Sequence, residues 1–495
     1  MSAPGQVVPR IRSRGRAGTL AAAARRRPVP AAALVAAVSL LGFVLLRHFA
    51  LHLDLVDLLV YRAEGRAVLD HQSLHALRAT RAHLQATYPP FAALLFTPLA
   101  ALPVGLLRAL VTAGNIGLLA LLAHLSCRYA NWPGRRGRPV VVVLAAGLGV
   151  WLEPVWTTLN YGQINLLLAC LVLWDLTRPD DRRSKGVAIG IAAGIKLTPG
   201  LFAVYLLLSG RIRAAVVAAA TGLGTALLGA VLLPGDSLTF WTRDLFDAGR
   251  VGKTWIVDNQ SLRGMLARLS HTAEPGGWAV LVVGVVGLLG LAVAVATARR
   301  GALRGAAPRS GDGAGATPGG AVSGGAGADA RTSGVPVPGA RGFGVRGFGV
   351  RGWGAAGGDR VPRAEAWGGV CCGFTALLVS PISWSHHWVW CVPALVLLAA
   401  EASAEAARRI PGRVSWRVAL GVAVLVFTSQ CLWLVPHPGD HALHLALWQQ
   451  PFASGYPLAA LAFLGIAGFR LVRRPRGGAG TIAPEPVVTM AGGSS

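Results

Sequence analysis

Apolar runs of roughly twenty residues recur along this chain, each long enough to cross a bilayer as a helix. In lipid only helices or closed barrels satisfy every backbone amide, so runs of this length specify an all-α integral membrane protein. We expect about twelve transmembrane or membrane-embedded helices, counted from the runs and their charged flanks. Composition agrees: 53% of the 495 residues are hydrophobic and 14% charged, and the mean hydropathy is +0.53. Such a chain has no stable soluble form.

Charge is distributed to match. Lysine and arginine total 47 against 21 acids, a formal charge of +26. In a soluble protein that excess would point to nucleic acid, but here the basic residues fall between apolar runs, where they fix orientation, and no nucleic-acid partner is expected. The six cysteines, Cys127, Cys170, Cys371, Cys372, Cys391 and Cys431, show no metal spacing and read as small hydrophobes. Residues 1–30 carry seven arginines and no acid before an apolar stretch without a cleavage site, the pattern of a retained signal anchor with a cytoplasmic tail.

Arginine-bearing connections stay in the cytoplasm, which orients every later run. The first part of the membrane domain covers 31–298 and carries two long outer loops, 51–88 and 234–277. Within it, 89–127 reads as one span plus an interfacial or re-entrant piece, or three short spans, and 186–208 is interrupted by Lys196-Leu-Thr-Pro-Gly. Broken backbone at membrane depth is tolerated only where protein buries it or it lines a cavity, so this break marks a functional place. A Gly/Ala/Arg-rich linker, 299–366, contains three R-G-aromatic-G repeats and reads as cytoplasmic and disordered. The second part, 367–472, precedes a cytoplasmic tail, 473–495.

Five polar clusters fall on the outer side. In Val56-Asp-Leu-Leu-Val-Tyr-Arg62, Asp57 is a candidate base with Tyr61 and Arg62 beside it, although Asp54 and Asp57 also fit as solvated loop acids paired with Arg62 and Arg66. Asn160, Gln163 and Asn165 form an amide-rich turn that either binds a polar ligand or joins helices. Lys196 could hold a phosphate as a point charge or extend to an interface. Asn259 and Gln260 lie in Asp258-Asn-Gln-Ser-Leu, which could equally be plain loop sequence. Trp384, His386 and His387 suit sugar stacking and hydrogen bonding, or interfacial anchoring, and adjacent histidines suit one metal poorly. No metal site is expected. No P-loop, strand-borne G-x-G-x-x-G or H-E-x-x-H occurs, so nucleotide-driven chemistry has no support.

Six motifs in order, V-D-L-L-V-Y-R (56–62), Y-P-P-F (88–91), N-Y-G-Q-I-N (160–165), G-I-K-L-T-P (194–199), D-N-Q-S-L (258–262) and S-P-I-S-W-S-H-H (380–387), make residues 50–400 resemble glycosyltransferase family 87. The resemblance implies a GT-C fold enzyme that takes a sugar from a polyprenyl phosphate, with Asp57 as catalytic base in its D-x-x-V-Y setting. It implies a donor bound near His386, His387 and Lys196. The expected reaction is inverting transfer of mannose from polyprenyl-phosphate mannose to a glycolipid or glycan acceptor at the outer face of the plasma membrane, giving an α-1,2 linkage. No cofactor is expected beyond that lipid-linked donor. Transfer of arabinofuranose from a polyprenyl phosphate is the neighbouring enzyme reading, and a lipid or glycan transporter is the reading from another class.

Overall fold

The computed structural model describes residues 28–49, 55–81, 83–306, 363–408, 415–437 and 440–472. The basic tail 1–27, Asp54, linker residues 307–362 and the tail 473–495 lie outside the described residues. In chain order the helices are α1 (Pro28–Phe49), α2 (Val56–Leu69), α3 (Pro90–Ala100), α4 (Val104–Tyr129), α5 (Arg138–Leu148), α6 (Glu153–Tyr161), α7 (Asn165–Leu176), α8 (Val187–Ile195) and α9 (Leu201–Leu208). They continue as α10 (Ile212–Leu232), α11 (Pro234–Thr242), α12 (Leu262–Leu269), α13 (Gly277–Ala306), α14 (Arg363–Val379), α15 (Cys391–Arg408), α16 (Trp416–Thr428) and α17 (Gly455–Val472). The protein is all-α. Helices α13 and α14 each run a few residues into the stretch read as linker, and they pack along one another.

Six helical segments among the described residues are long and apolar enough to cross a bilayer: α1, α4, α10, α13, Ser385–Ala407 around α15, and α17. A seventh is possible across α5 and α6, which bend by 73°. The remaining apolar helices, α3, α7, the Thr198–Leu208 piece containing α9, and α16, are shorter, so the full-length spans number fewer than the twelve apolar segments expected. Proline placement is the physical reason at α3: Pro90 opens the helix, Pro98 lies inside it, and Pro103 precedes α4. The 89–127 stretch is therefore one short helix plus one full-length span. The interruption at Lys196 is real, with the residue extended (φ −148°, ψ 129°) between α8 and the short turn that leads into α9.

The two ends of the bundle differ in chemistry. At one end the basic connections meet: Arg211 pairs with Asp180 at 3.0 Å and Glu365 at 2.6 Å, Lys185 pairs with Asp180, and Tyr129 donates to the Glu365 carbonyl. Arg363 and Arg470 both reach Glu401 there. At the opposite end the long connections fold together. Arg268, fully buried, donates to the carbonyls of Ile256 and Asn259 at 3.0 Å and to Ser454 Oγ, which ties the 250s loop to the start of α17.

Two close approaches place the first loop. Helix α2 lies against α3 at Gly65, where a Cβ would stand 2.2 Å from the Phe96 carbonyl oxygen. Gly65→Ala should therefore push α2 off its seat and destabilise the protein by about 1–3 kcal/mol, the usual cost of overpacking. Thermal unfolding of the detergent-solubilised variant measures this. The second approach is Gly162, at φ +71°, where a side chain would be strained and would also meet Leu58 Cβ at 2.7 Å. This turn brings the residue after it to α2.

Candidate active site

Asp57 sits in the first turn of α2 and points into a cavity of about 490 Å³ at the loop end of the bundle. Its Oδ2 accepts a 2.6 Å hydrogen bond from Gln163 Nε2, delivered by the Gly162 turn. The amide's other atom is engaged as well: Gln163 Oε1 accepts from Tyr61 OH at 2.8 Å and from Tyr88 OH at 3.2 Å. Tyr61 and Tyr88 are themselves 3.0 Å apart, and Tyr61 stacks on Phe96 of α3. Gln163 is thereby locked with its donor toward the carboxylate. Burial pushes the Asp57 carboxyl up to about 6, against the lowering effects of the Gln163 hydrogen bond and the Lys196 charge.

Lys196 enters from the break between α8 and α9. Its Nζ donates to Asn165 Oδ1 at 3.2 Å and meets His387 Nε2 at 2.8 Å, which makes that imidazole nitrogen an acceptor. The ammonium also lies 5.2 Å from the centre of the Tyr88 ring. Asn165 Nδ2 in turn donates to the His386 carbonyl at 3.1 Å, so α7 holds the histidine pair against the broken segment. Four polar clusters separated by up to 330 residues in sequence converge on one cavity. Trp384 and His386 line it too, and no protein partner among the described residues reaches His386 Nε2.

Several expected site residues do other work. Arg62 donates to the carbonyls of Ala100 and Leu102 at 3.3 Å, closing the C-terminus of α3; following Tyr61 by one residue, it is turned about 100° round the helix and leaves the cavity face. Asn259 and Gln260 are fully buried loop fasteners. Asn259 donates to the Thr254 and Pro381 carbonyls and accepts from the Ser261 and Ser383 amides, while Gln260 donates to Val257 and Ala453. Their amide groups are consumed by backbone, as the plain-loop alternative for that motif has it. Asn160 is buried beside the cavity and does not line it.

The cavity also holds residues not named above as site candidates, two of which, Tyr88 and Asp258, open motifs of the sequence. Tyr88 bridges Gln163 and Lys196. Asp258 faces the cavity with its Oδ1 3.6 Å from His437 Nε2, and Trp433, stacked on His437, lines the same wall. Glu64 lines it from α2. Asp57, Tyr61 and Glu64 stand at i, i+4 and i+7, one face of a helix, and that spacing is the signal that could have found the last of them.

The sequence that builds this cavity is similar to that of a known group of proteins. The profile of glycosyltransferase family 87 matches residues 86–310. A polyprenol-phosphate-mannose-dependent alpha-(1-2)-phosphatidylinositol mannoside mannosyltransferase of Mycolicibacterium smegmatis is 30% identical over 460 residues, covering 89% of each chain. A polyprenol-phosphate-mannose-dependent alpha-(1-2)-phosphatidylinositol pentamannoside mannosyltransferase of Mycobacterium tuberculosis is 32% identical over 438 residues, 86% of this chain and 84% of its own. The chain belongs to glycosyltransferase family 87. It is a multi-pass membrane glycosyltransferase of the GT-C family type. No solved structure matches this family 87 chain.

Proposed function

We propose that this enzyme transfers mannose from polyprenyl-phosphate mannose to a phosphatidylinositol-mannoside-type glycolipid, with inversion and an α-1,2 linkage, at the outer face of the plasma membrane. The observation that carries the reading is the pairing of a locked carboxylate, Asp57, with a cation, Lys196, across one cavity. As the acceptor hydroxyl oxygen bonds to C1 of mannose, Asp57 takes its proton. The bond from C1 to the phosphate oxygen breaks, and polyprenyl phosphate leaves with the electron pair. Lys196 faces the growing negative charge, and the neutral Nε2 acceptor of His387 and the Asn165 carbonyl hold the ammonium in place. The donor carries its own activating group, a phosphate already ionised.

The lipid portion of such a donor has a route. A second cavity, about 430 Å³ and walled by Phe91, Ala193, Leu223, Leu227, Ala230 and Trp241, adjoins the first at Pro89 and Leu197. An isoprenoid chain suits a wall of that composition, and its phosphate would meet the polar cavity near Lys196. The names of the relatives favour mannose over arabinofuranose, and a transporter would have no use for the base. Incubating membranes from an overexpressing strain with labelled polyprenyl-phosphate mannose and phosphatidylinositol mannosides tests the proposal. An α-1,2-linked mannosyl product supports it, and no labelled glycolipid contradicts it.

Orientation has its own test, since the basic connections gather at one end and the cavity opens at the other. Five of the six cysteines are buried, so a Cys431→Ser background gives a quiet starting point. Gln72→Cys and Asp440→Cys, both exposed at the cavity end, should react with an impermeant thiol reagent in intact cells, whereas Arg182→Cys should be protected. The reverse pattern would place the cavity in the cytoplasm.

A further inference from the structure

Among the described residues, the other fully sequestered carboxylates each accept at least one hydrogen bond, although Asp175 does so through Oδ2 alone. Glu153 accepts from Thr157, Trp433 and Tyr456, and Asp175 accepts from the amides of Gly186 and Ile189. Glu64 differs. It is 2% exposed, its Oε1 has no hydrogen-bond partner among the described residues, and it lines the cavity that holds Asp57. An unpaired carboxyl in such a place is costly unless a ligand completes it. Gln85, which lines the same cavity, has a buried Oε1 that likewise has no hydrogen-bond partner among the described residues.

We propose that Glu64 and Gln85 form an acceptor subsite that binds a sugar hydroxyl other than the one being glycosylated. The inference rests on the glycosyl-transfer reading above. Seven residues separate Glu64 from Asp57, about 10 Å along the helix, too far for both to touch one hydroxyl. The subsite is assigned to the acceptor because the donor phosphate is assigned to Lys196, whereas Glu64 stands on the same helix as the base that meets the acceptor hydroxyl. Burial and that neighbouring charge push the Glu64 carboxyl up to about 8, so near neutral pH it carries a proton. Its O–H donates to a hydroxyl oxygen while its carbonyl oxygen, and that of Gln85, accept from hydroxyls. A neutral acid here also leaves the Asp57 charge undisturbed.

The test uses purified full-length enzyme in lipid nanodiscs, labelled polyprenyl-phosphate mannose and phosphatidylinositol mannoside. Glu64→Leu should raise the acceptor KM about tenfold, the range one lost hydrogen bond supplies, without moving the donor KM. Glu64→Gln, which keeps a neutral donor and acceptor, should return the acceptor KM to within about threefold of wild type. Gln85→Ala should raise the acceptor KM as well, and it reads the subsite even where Glu64→Leu fails to accumulate. An unchanged acceptor KM in Gln85→Ala and Glu64→Leu, or a Glu64→Gln enzyme as impaired as Glu64→Leu, would overturn the proposal. A wild type that forms no product refutes the proposed reaction instead. The subsite is then read through binding of an alkyl α-mannoside, followed by fluorescence of Trp384 and Trp433 in the cavity wall. Binding weakened by Glu64→Leu or Gln85→Ala supports the subsite, and binding unaffected by either overturns it.

Discussion

Replacing Asp57 with Asn should lower turnover by roughly a hundredfold or more while the donor KM changes little. Asparagine keeps the size of the side chain and can still accept from Gln163 Nε2, so the Tyr61, Tyr88 and Gln163 network has no reason to rearrange. What is lost is basicity alone. The wild-type pH profile carries the same information. The carboxyl titrates at about 6, raised by burial, and only its ionised form accepts a proton. Activity should therefore fall as pH drops through about 6, and that acid limb should be absent from the residual activity of Asp57→Asn. Gln163→Leu removes a hydrogen bond that favours the ionised form, and its acid limb should move to higher pH.

Lys196→Ala should cost roughly a hundredfold or more in kcat/KM for the donor, the scale on which loss of one group facing developing charge is felt. A second consequence separates this residue from a merely structural one. Lys196 holds the Asp57 carboxyl down, so its removal should also shift the acid limb upward. Lys196→Arg should rescue poorly. The ammonium fits between Asn165 Oδ1 and His387 Nε2, with the Tyr88 ring alongside, a setting for a compact point charge and not for a planar fork. Steady-state kinetics in the donor concentration, repeated across pH, read both effects. A Lys196→Ala enzyme with an unmoved limb and an undiminished kcat/KM would detach the lysine from the reaction.

Much of this was legible in the chain. Hydropathy and basic flanks give the all-α membrane class because lipid leaves the backbone few options. The break at Lys196 shows as a Pro-Gly interruption between two apolar halves. Motif reading also brought Asp57, Tyr61, Gln163, Asn165, Lys196, Trp384, His386 and His387 together, and the structure sets them around one cavity or in direct contact with it. Facing was harder. Arg62 follows Tyr61 directly yet turns to the end of α3, and Asn259 and Gln260 spend their amides on backbone carbonyls whose positions no local sequence specifies. Glu64 was hidden for the opposite reason: outside the V-D-L-L-V-Y-R segment, it is joined to Asp57 only by helical period. The span count depended on helix lengths that proline at α3 and the bend between α5 and α6 set.

Asp57 as the base for mannose transfer from a polyprenyl phosphate is the assignment on which the mechanism turns. Its most direct test is the single-turnover rate of transfer from labelled polyprenyl-phosphate mannose, measured for purified wild type and Asp57→Asn from about pH 5 to about pH 8. Wild type should show an acid limb near 6, and a variant of equal thermal stability should be roughly a hundredfold slower with no limb in that range. A well-folded Asp57→Asn enzyme with the wild-type rate and the wild-type limb would contradict it.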